Sequence, residues 1–132
     1  MTLLRRGGAQ AERLVDRLND VPEELLVTCV VVFEEQMRGW MAQIARMRTG
    51  SQFVLPYGSL ATTLTIYCAM NVLPFDERAS FQFDDLKRRR IRLGTQDLKI
   101  ASIALANDSV ILTRNTRDFA QIQGLSFEDW SV

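Results

Sequence analysis

Sixteen acidic side chains and no histidine set the chemistry open to this 132-residue chain. Without imidazole, serine–histidine and cysteine–histidine hydrolases are excluded, as are two-histidine zinc proteases and nucleases that use histidine as acid or base. Hydrolysis would have to rest on carboxylates holding a hard cation. Mg²⁺ or Mn²⁺ takes oxygen ligands, activates water and stabilises a phosphoryl oxygen. Without a cation, clustered carboxylates repel and raise one another's pKa.

Placement along the chain sorts the acids. Glu34 and Glu35 directly follow an apolar run ending at Phe33. Asn115 and Asp118 follow a second apolar run ending near Thr113. Open parallel sheets bind ligands beyond the carboxyl ends of their strands, so both pairs fall where a site is expected. Asp97 lies in the first turn of the helix before the second run, and joins the same rim if the 90–95 loop crosses over. The bland alternative stays open beside this one: the macrodipole favours an acid in any first helical turn, whether Asp97, Glu34 or Glu35.

The cations are lopsided, since only Lys87 and Lys99 are lysines and the other fourteen are arginines. Arginine's planar fork suits phosphate and carboxylate. Five of the six positions from Lys87 to Arg92 are basic. Asp84–Arg88 and Asp85–Arg89 pairs at helical (i, i+4) spacing account for two of these arginines. Arg90, Arg92 and Arg114 remain for a phosphate backbone, whose affinity would fall as salt rises. No G-x-x-x-x-G-K-[ST] or G-x-G-x-x-G pattern offers a nucleotide loop.

The elements that must position these groups follow from periodicity. A helix is predicted over 9–20, ended by Asn19-Asp20-Val21-Pro22. The valine-rich run 25–33 suits a strand covered on both faces. A helix over 34–48 carries Met37, Trp40, Met41, Ile44 and Met47 on one stripe, a core face or a homodimer surface. A second helix covers 52–70, with its first turns in question at Pro56 and Gly58. A short strand is expected at 72–74, then a charged helix over 76–89 with Ala79, Phe83 and Leu86 inward. Thr95 is the expected N-cap of the next helix. Strands at 109–113 and 125–128 flank a loop or short helix at 115–120, and Trp130 anchors the C-terminus. Strands separated by helices, with no two-residue hairpins, indicate an α/β fold with a parallel sheet and helices on both faces.

Size and composition fit one globular domain: 47% apolar, 24% charged, and a formal net charge of zero. Cys29 and Cys68 read as small buried hydrophobes of a reduced, cytoplasmic protein, with a bridge between them the lesser alternative. No stretch has the length of a membrane span or a signal peptide.

Three segments, Arg92-Leu-Gly-Thr-Gln-Asp97-Leu-Lys-Ile-Ala, Leu112-Thr-Arg-Asn115-Thr-Arg-Asp118-Phe119 and Gly124-Leu-Ser-Phe-Glu-Asp-Trp130, resemble the VapC-type toxin ribonucleases of the PIN domain family. Val31-Val-Phe-Glu-Glu35-Gln-Met-Arg-Gly39 is similar to the family's second acidic motif, and Val72-Leu-Pro-Phe-Asp76 also fits. The resemblance implies a three-layer αβα domain and an acid quartet around Mg²⁺ or Mn²⁺ that cleaves RNA, with a small antitoxin as partner. It assigns Glu35 and Asp97 as the second and third acids, and the Asn115/Asp118 pair as the fourth. Glu35, Asp97 and Asp118 would be catalytic, Thr113 and Asn115 would support them, and Arg88, Arg89, Arg90, Arg92 and Arg114 would meet RNA.

The family's first acid, at the end of its first strand, has no counterpart, and Asp16 or Asp20 cannot be assumed to replace it. The expectation is a single PIN-like domain over 1–132, N-terminally truncated and with its first strand missing. The strand at 25–33 would then pair directly with 109–113, or leave an open edge inside the layer. A catalytically silent relative that binds RNA or an antitoxin is the alternative. A plain α/β binding module, whose rim acids are helix caps, is a third.

Overall fold

The computed structural model describes residues 2–4 as backbone, then residues 20, 26–113 and 115–129. The predicted helix at 9–20, Asp16, Arg114 and Trp130 lie outside the described residues, apart from Asp20 in a turn. The elements are β1 (Thr2–Leu4), β2 (Leu26–Cys29), α1 (Val30–Arg46), α2 (Gly50–Ala69), β3 (Asn71–Leu73), α3 (Glu77–Arg88), α4 (Thr95–Ala106), β4 (Val110–Leu112), α5 (Thr116–Phe119) and β5 (Ser126–Glu128).

The valine-rich run divides between two elements. Its first part forms β2, and the helix has already begun at Val30, so the strand expected over 25–33 is cut short. A short apolar run carries no period that separates strand from buried helix. Val27 and Cys29 are buried from the strand, and Val31 and Val32 from the helix. Glu34 and Glu35 consequently lie in the second turn of α1, not at the strand's end.

The sheet has five strands in the order β3-β2-β1-β4-β5, all parallel. Its centre, expected to lack a strand, is filled by Thr2–Leu4. Leu3 is in register with Val27 on one side and Ile111 on the other, so β2 does not pair with β4. Two facing strand edges left open would strand their N–H and C=O groups inside the layer, and the Thr-Leu-Leu segment satisfies both rows. The order steps one way from β1 to β3 and the other way from β1 to β5. Right-handed crossovers therefore place the β2–β3 and β3–β4 connections on opposite faces, giving the expected layered α/β architecture.

Helix ends are set locally. Gln52 Oε1 accepts from the backbone N–H of Arg48 (2.9 Å) and Thr49 (3.1 Å), fixing the start of α2. That helix then runs through Pro56 and Gly58 without a break. Trp40 Nε1 donates to Thr63 Oγ1 (2.9 Å), tying α1 to α2. Asp76 caps α3 by accepting from the Ala79 N–H at 3.0 Å. Gly94, one residue before the expected Thr95, is the N-cap of α4.

Both α3 and α4 end in Schellman motifs. Ile91 N–H donates to Leu86 C=O and Arg90 N–H to Lys87 C=O; Ser109 and Asp108 do the same to Ala104 and Leu105. The residues carrying the left-handed turn are Arg90 (φ 57°) and Asp108 (φ 50°), where glycine is usual. α4 is the central helix, with Leu98, Ile100, Ala101, Ile103 and Ala104 buried in one core with Ile111, Leu86, Ala79 and Phe119. Cys29 is buried as expected, but Cys68 is exposed on α2, and both thiols are free, so the bridge is ruled out. No helix among the described residues is long and apolar enough to cross a membrane.

Candidate active site

In this strand order the chain steps from β1 to one side of the sheet and from β4 to the other, the switch point at whose carboxyl ends parallel sheets bind ligands. The chain leaves β4 into Thr113, Asn115 and α5. Buried Thr113 accepts the Asn115 N–H on Oγ1 at 2.9 Å. Asn115 Nδ2 in turn donates to Asp118 Oδ2 at 2.8 Å. Thr113, Asn115 and Asp118 are thus assembled by local turn geometry, with both polar groups half-buried.

Asp97 reaches this edge by a route other than the expected crossing loop. Arg78 at the start of α3 donates to Asn107 at the end of α4 (3.1 Å), so the two helices are antiparallel. The chain reverses through the 89–94 turn, and α4 runs back to enter β4 through a tight turn. Its first turn therefore lies at the carboxyl edge. Two contacts fix it there: Gln96 Nε2 donates to Glu34 Oε1 (3.1 Å), and Gln121 beyond α5 bonds the backbone of Arg92. Asp97 is half-buried and already engaged in an interaction of its own.

Glu34, rather than Glu35, is the α1 acid that meets α4. It also pairs with Arg38 at 2.7 Å, while Lys99 Nζ donates to Gln96 Oε1 at 3.0 Å. The Gln96 amide, helped by the Arg38 and Lys99 charges, holds the Glu34 carboxyl below the usual carboxylate range against the opposing pull of desolvation. Glu35 is half-buried on the same helix. Sequence reasoning missed Gln96 and Gln121. An amide side chain carries no charge or period that singles it out, and its value here lies in contacts made across 62 and 29 positions.

The arginines divide into two sets. Asp85 takes both Arg88 (3.5 Å) and Arg89 (3.2 Å), so the Asp84–Arg88 pair expected from spacing gives way to an (i, i+3) contact. Arg90 and Arg92 are exposed at the turn and take no part in the ion pairs seen among the described residues.

Among the described residues, no three acidic or cysteine side chains stand close enough to hold a metal ion. Asp118 Oδ2 is taken by the Asn115 amide, and both Glu34 oxygens are taken by donors. In sequence, central β1 is followed by Arg5 and Arg6 rather than by an acid. The elements converge on one edge, but their acids do not fit an ion there.

A family model for the PIN domain matches residues 2–125, and the chain belongs to the PIN domain family. Ribonuclease VapC1 of Rickettsia felis is 38% identical over 58 residues, covering 41% of this chain and 43% of that protein. The tRNA(fMet)-specific endonuclease VapC of Shigella flexneri is 31% identical over 81 residues, 58% of this chain and 61% of its own length. The chain thus spans about half the length of the relatives it matches. Among solved structures, VapBC-1 from nontypeable Haemophilus influenzae superposes with a TM-score of 0.78 at 20% identity, covering 99% of this chain and 98% of that one. FitAcB from Neisseria gonorrhoeae gives 0.73 at 21% identity, covering both chains completely (100%). These likenesses show the shared fold.

Proposed function

We propose that this chain is a ribonuclease toxin of a toxin–antitoxin pair, a single cytoplasmic domain over 1–132 that acts on RNA at the carboxyl edge of its sheet. The reading is supported by the contacts that tie the Thr113–Asn115–Asp118 turn and the arginine turn at 88–92 together at the edge where the Asp97 helix begins. The match to ribonucleases named VapC supports it, as does the fold shared with toxin–antitoxin complexes. Glu35, Asp97 and Asp118 are the proposed catalytic acids. Arg90 and Arg92, with Arg88, Arg89 and Arg114, are the proposed contacts to phosphate. An antitoxin protein is the proposed partner, and the Met37–Met41 edge of α1 the proposed homodimer surface.

Mg²⁺ or Mn²⁺ is the cofactor this reading would call for, and the described acids do not fit one, so no hydrolytic step is routed through it. That misfit favours a second reading: a silent relative that binds RNA or an antitoxin without cutting. A cleavage assay on single-stranded RNA, run beside a calorimetric Mn²⁺ titration, separates the two. The toxin reading expects cleavage that falls about a hundredfold or more in Asp97→Asn and Asp118→Asn. RNA binding with neither cleavage nor Mn²⁺ heat establishes the silent reading. Loss of neither binding nor cleavage in both variants reduces the rim acids to helix caps.

A further inference from the structure

One amide side chain links the α3–α4 turn to α5. Gln121 Oε1 accepts the Arg92 N–H at 3.2 Å, and Gln121 Nε2 donates to the Arg92 C=O at 3.2 Å. The same Nε2 donates to the Asp118 C=O at 3.0 Å. Both peptide groups of a residue in the α3–α4 turn are therefore read by a side chain that is itself fixed to α5.

The turn is seated by Ile91 and Leu93, whose half-buried side chains pack against the core on either side of Arg92. It is held at its start by the Arg90 and Ile91 bonds that end α3, and at its finish by the Leu98 N–H on Gly94 C=O (3.0 Å). Between those ends, Gln121 supplies the partners of Arg92. The clamp is exposed and buries nothing, and water would satisfy the same groups at little net cost. Its contribution to stability is accordingly small. What it supplies is a fixed distance between the exposed arginines of the turn and the Asn115–Asp118 pair.

We infer that Gln121 is a positioning residue for RNA. It holds the Arg90–Arg92 turn against α5, so that these cations meet phosphate without first being ordered. This rests on the proposed action on RNA and adds to it a residue that touches no RNA itself. Only glutamine makes all three bonds: glutamate keeps the acceptor for Arg92 N–H but loses both donations, and alanine loses everything.

The physical signature follows from what each substitution removes. Deleting an arginine removes a phosphate contact, which weakens binding and flattens the dependence of log K on log salt by about 0.7 for a single strand. Deleting the clamp leaves every charge in place, so the salt slope stays, while the ordering cost now falls on the complex.

The test is fluorescence anisotropy of a labelled single-stranded RNA across a range of KCl, with thermal melts alongside. Q121A is expected to bind about fivefold more weakly with an unchanged salt slope. Q121E should follow it, and both should melt with the unaltered protein. In an R90A/R92A background the Q121A effect should disappear. Unchanged affinity in Q121A, or an equal loss in the R90A/R92A background, overturns the clamp while leaving the action on RNA standing. Failure of the unaltered chain to bind RNA overturns both.

Discussion

Glu34 shows how a single side chain can be captured by an element far from it in sequence. The acid sits one turn into α1, yet it accepts a hydrogen bond from Gln96 of α4, with Arg38 beside it. Its carboxyl is held below the usual range. A lowered folded pKa means the stabilisation is present above the ordinary glutamate value of about 4.3. It fades as the pH falls through the folded value. Denaturant midpoints measured from pH 6 down to pH 3 should therefore drop more steeply for the unaltered chain than for Glu34→Gln, and the two curves should converge in acid. Parallel curves would show that the Gln96 contact does not favour the charged form. Little of this was legible beforehand. The spacing made Glu34 and Glu35 equivalent, and only the antiparallel packing of α3 on α4 brings Gln96 to one of them. The Asn115–Asp118 pair, by contrast, sits three positions apart in one turn, and its contact follows from local chain geometry.

At the level of elements, the two Schellman turns are alike in hydrogen bonding but not in place. Asp108 ends α4 at the amino edge of the sheet, while Arg90 ends α3 at the carboxyl edge. Each adopts a left-handed conformation that costs a side-chain-bearing residue about 1–2 kcal/mol. Glycine removes that cost but gives up more chain entropy on folding. Arg90→Gly and Asp108→Gly should each stabilise by about 0.5–1 kcal/mol, read as a rise of a few degrees in melting temperature. Only Arg90→Gly should also weaken RNA binding, which anisotropy checks. The sequence places the two helix ends at Arg89 and at Asn107-Asp108, but the left-handed conformation was not legible, because glycine, its usual signal, is absent from both turns. The start of α3 near Asp76 and its inward face of Ala79, Phe83 and Leu86 stand where periodicity puts them, while the cap expected at Thr95 falls on Gly94. The end of β2 was not legible, since valine serves strand and buried helix alike.

For the molecule as a whole, one apolar core under α4 joins the sheet to the α3–α4 pair. Ile111 lies at its centre, fully buried, on the strand that carries the Thr113–Asn115–Asp118 turn. Ile111→Ala should cost about 2–5 kcal/mol. That is a large share of the roughly 5–15 kcal/mol that holds a domain together, and chemical denaturation would measure it. A loss under 1 kcal/mol would mean that β4 is not packed as described. The α/β layering was legible from alternation alone, but the occupant of the sheet's centre was not. Three residues carry no period, and what places them is the vacancy between β2 and β4.

That central strand also sets a timetable. Leu3 pairs with Val27 and with Ile111, and the second partner is about a hundred positions away. On a ribosome, β1 can meet β2 early, but the sheet cannot close until β4 has emerged. Long-range parallel pairing is slow, because a large loop must be ordered before any contact rewards it. The β1–β4 seam is therefore expected to close late in folding, and with it the carboxyl edge where RNA would sit.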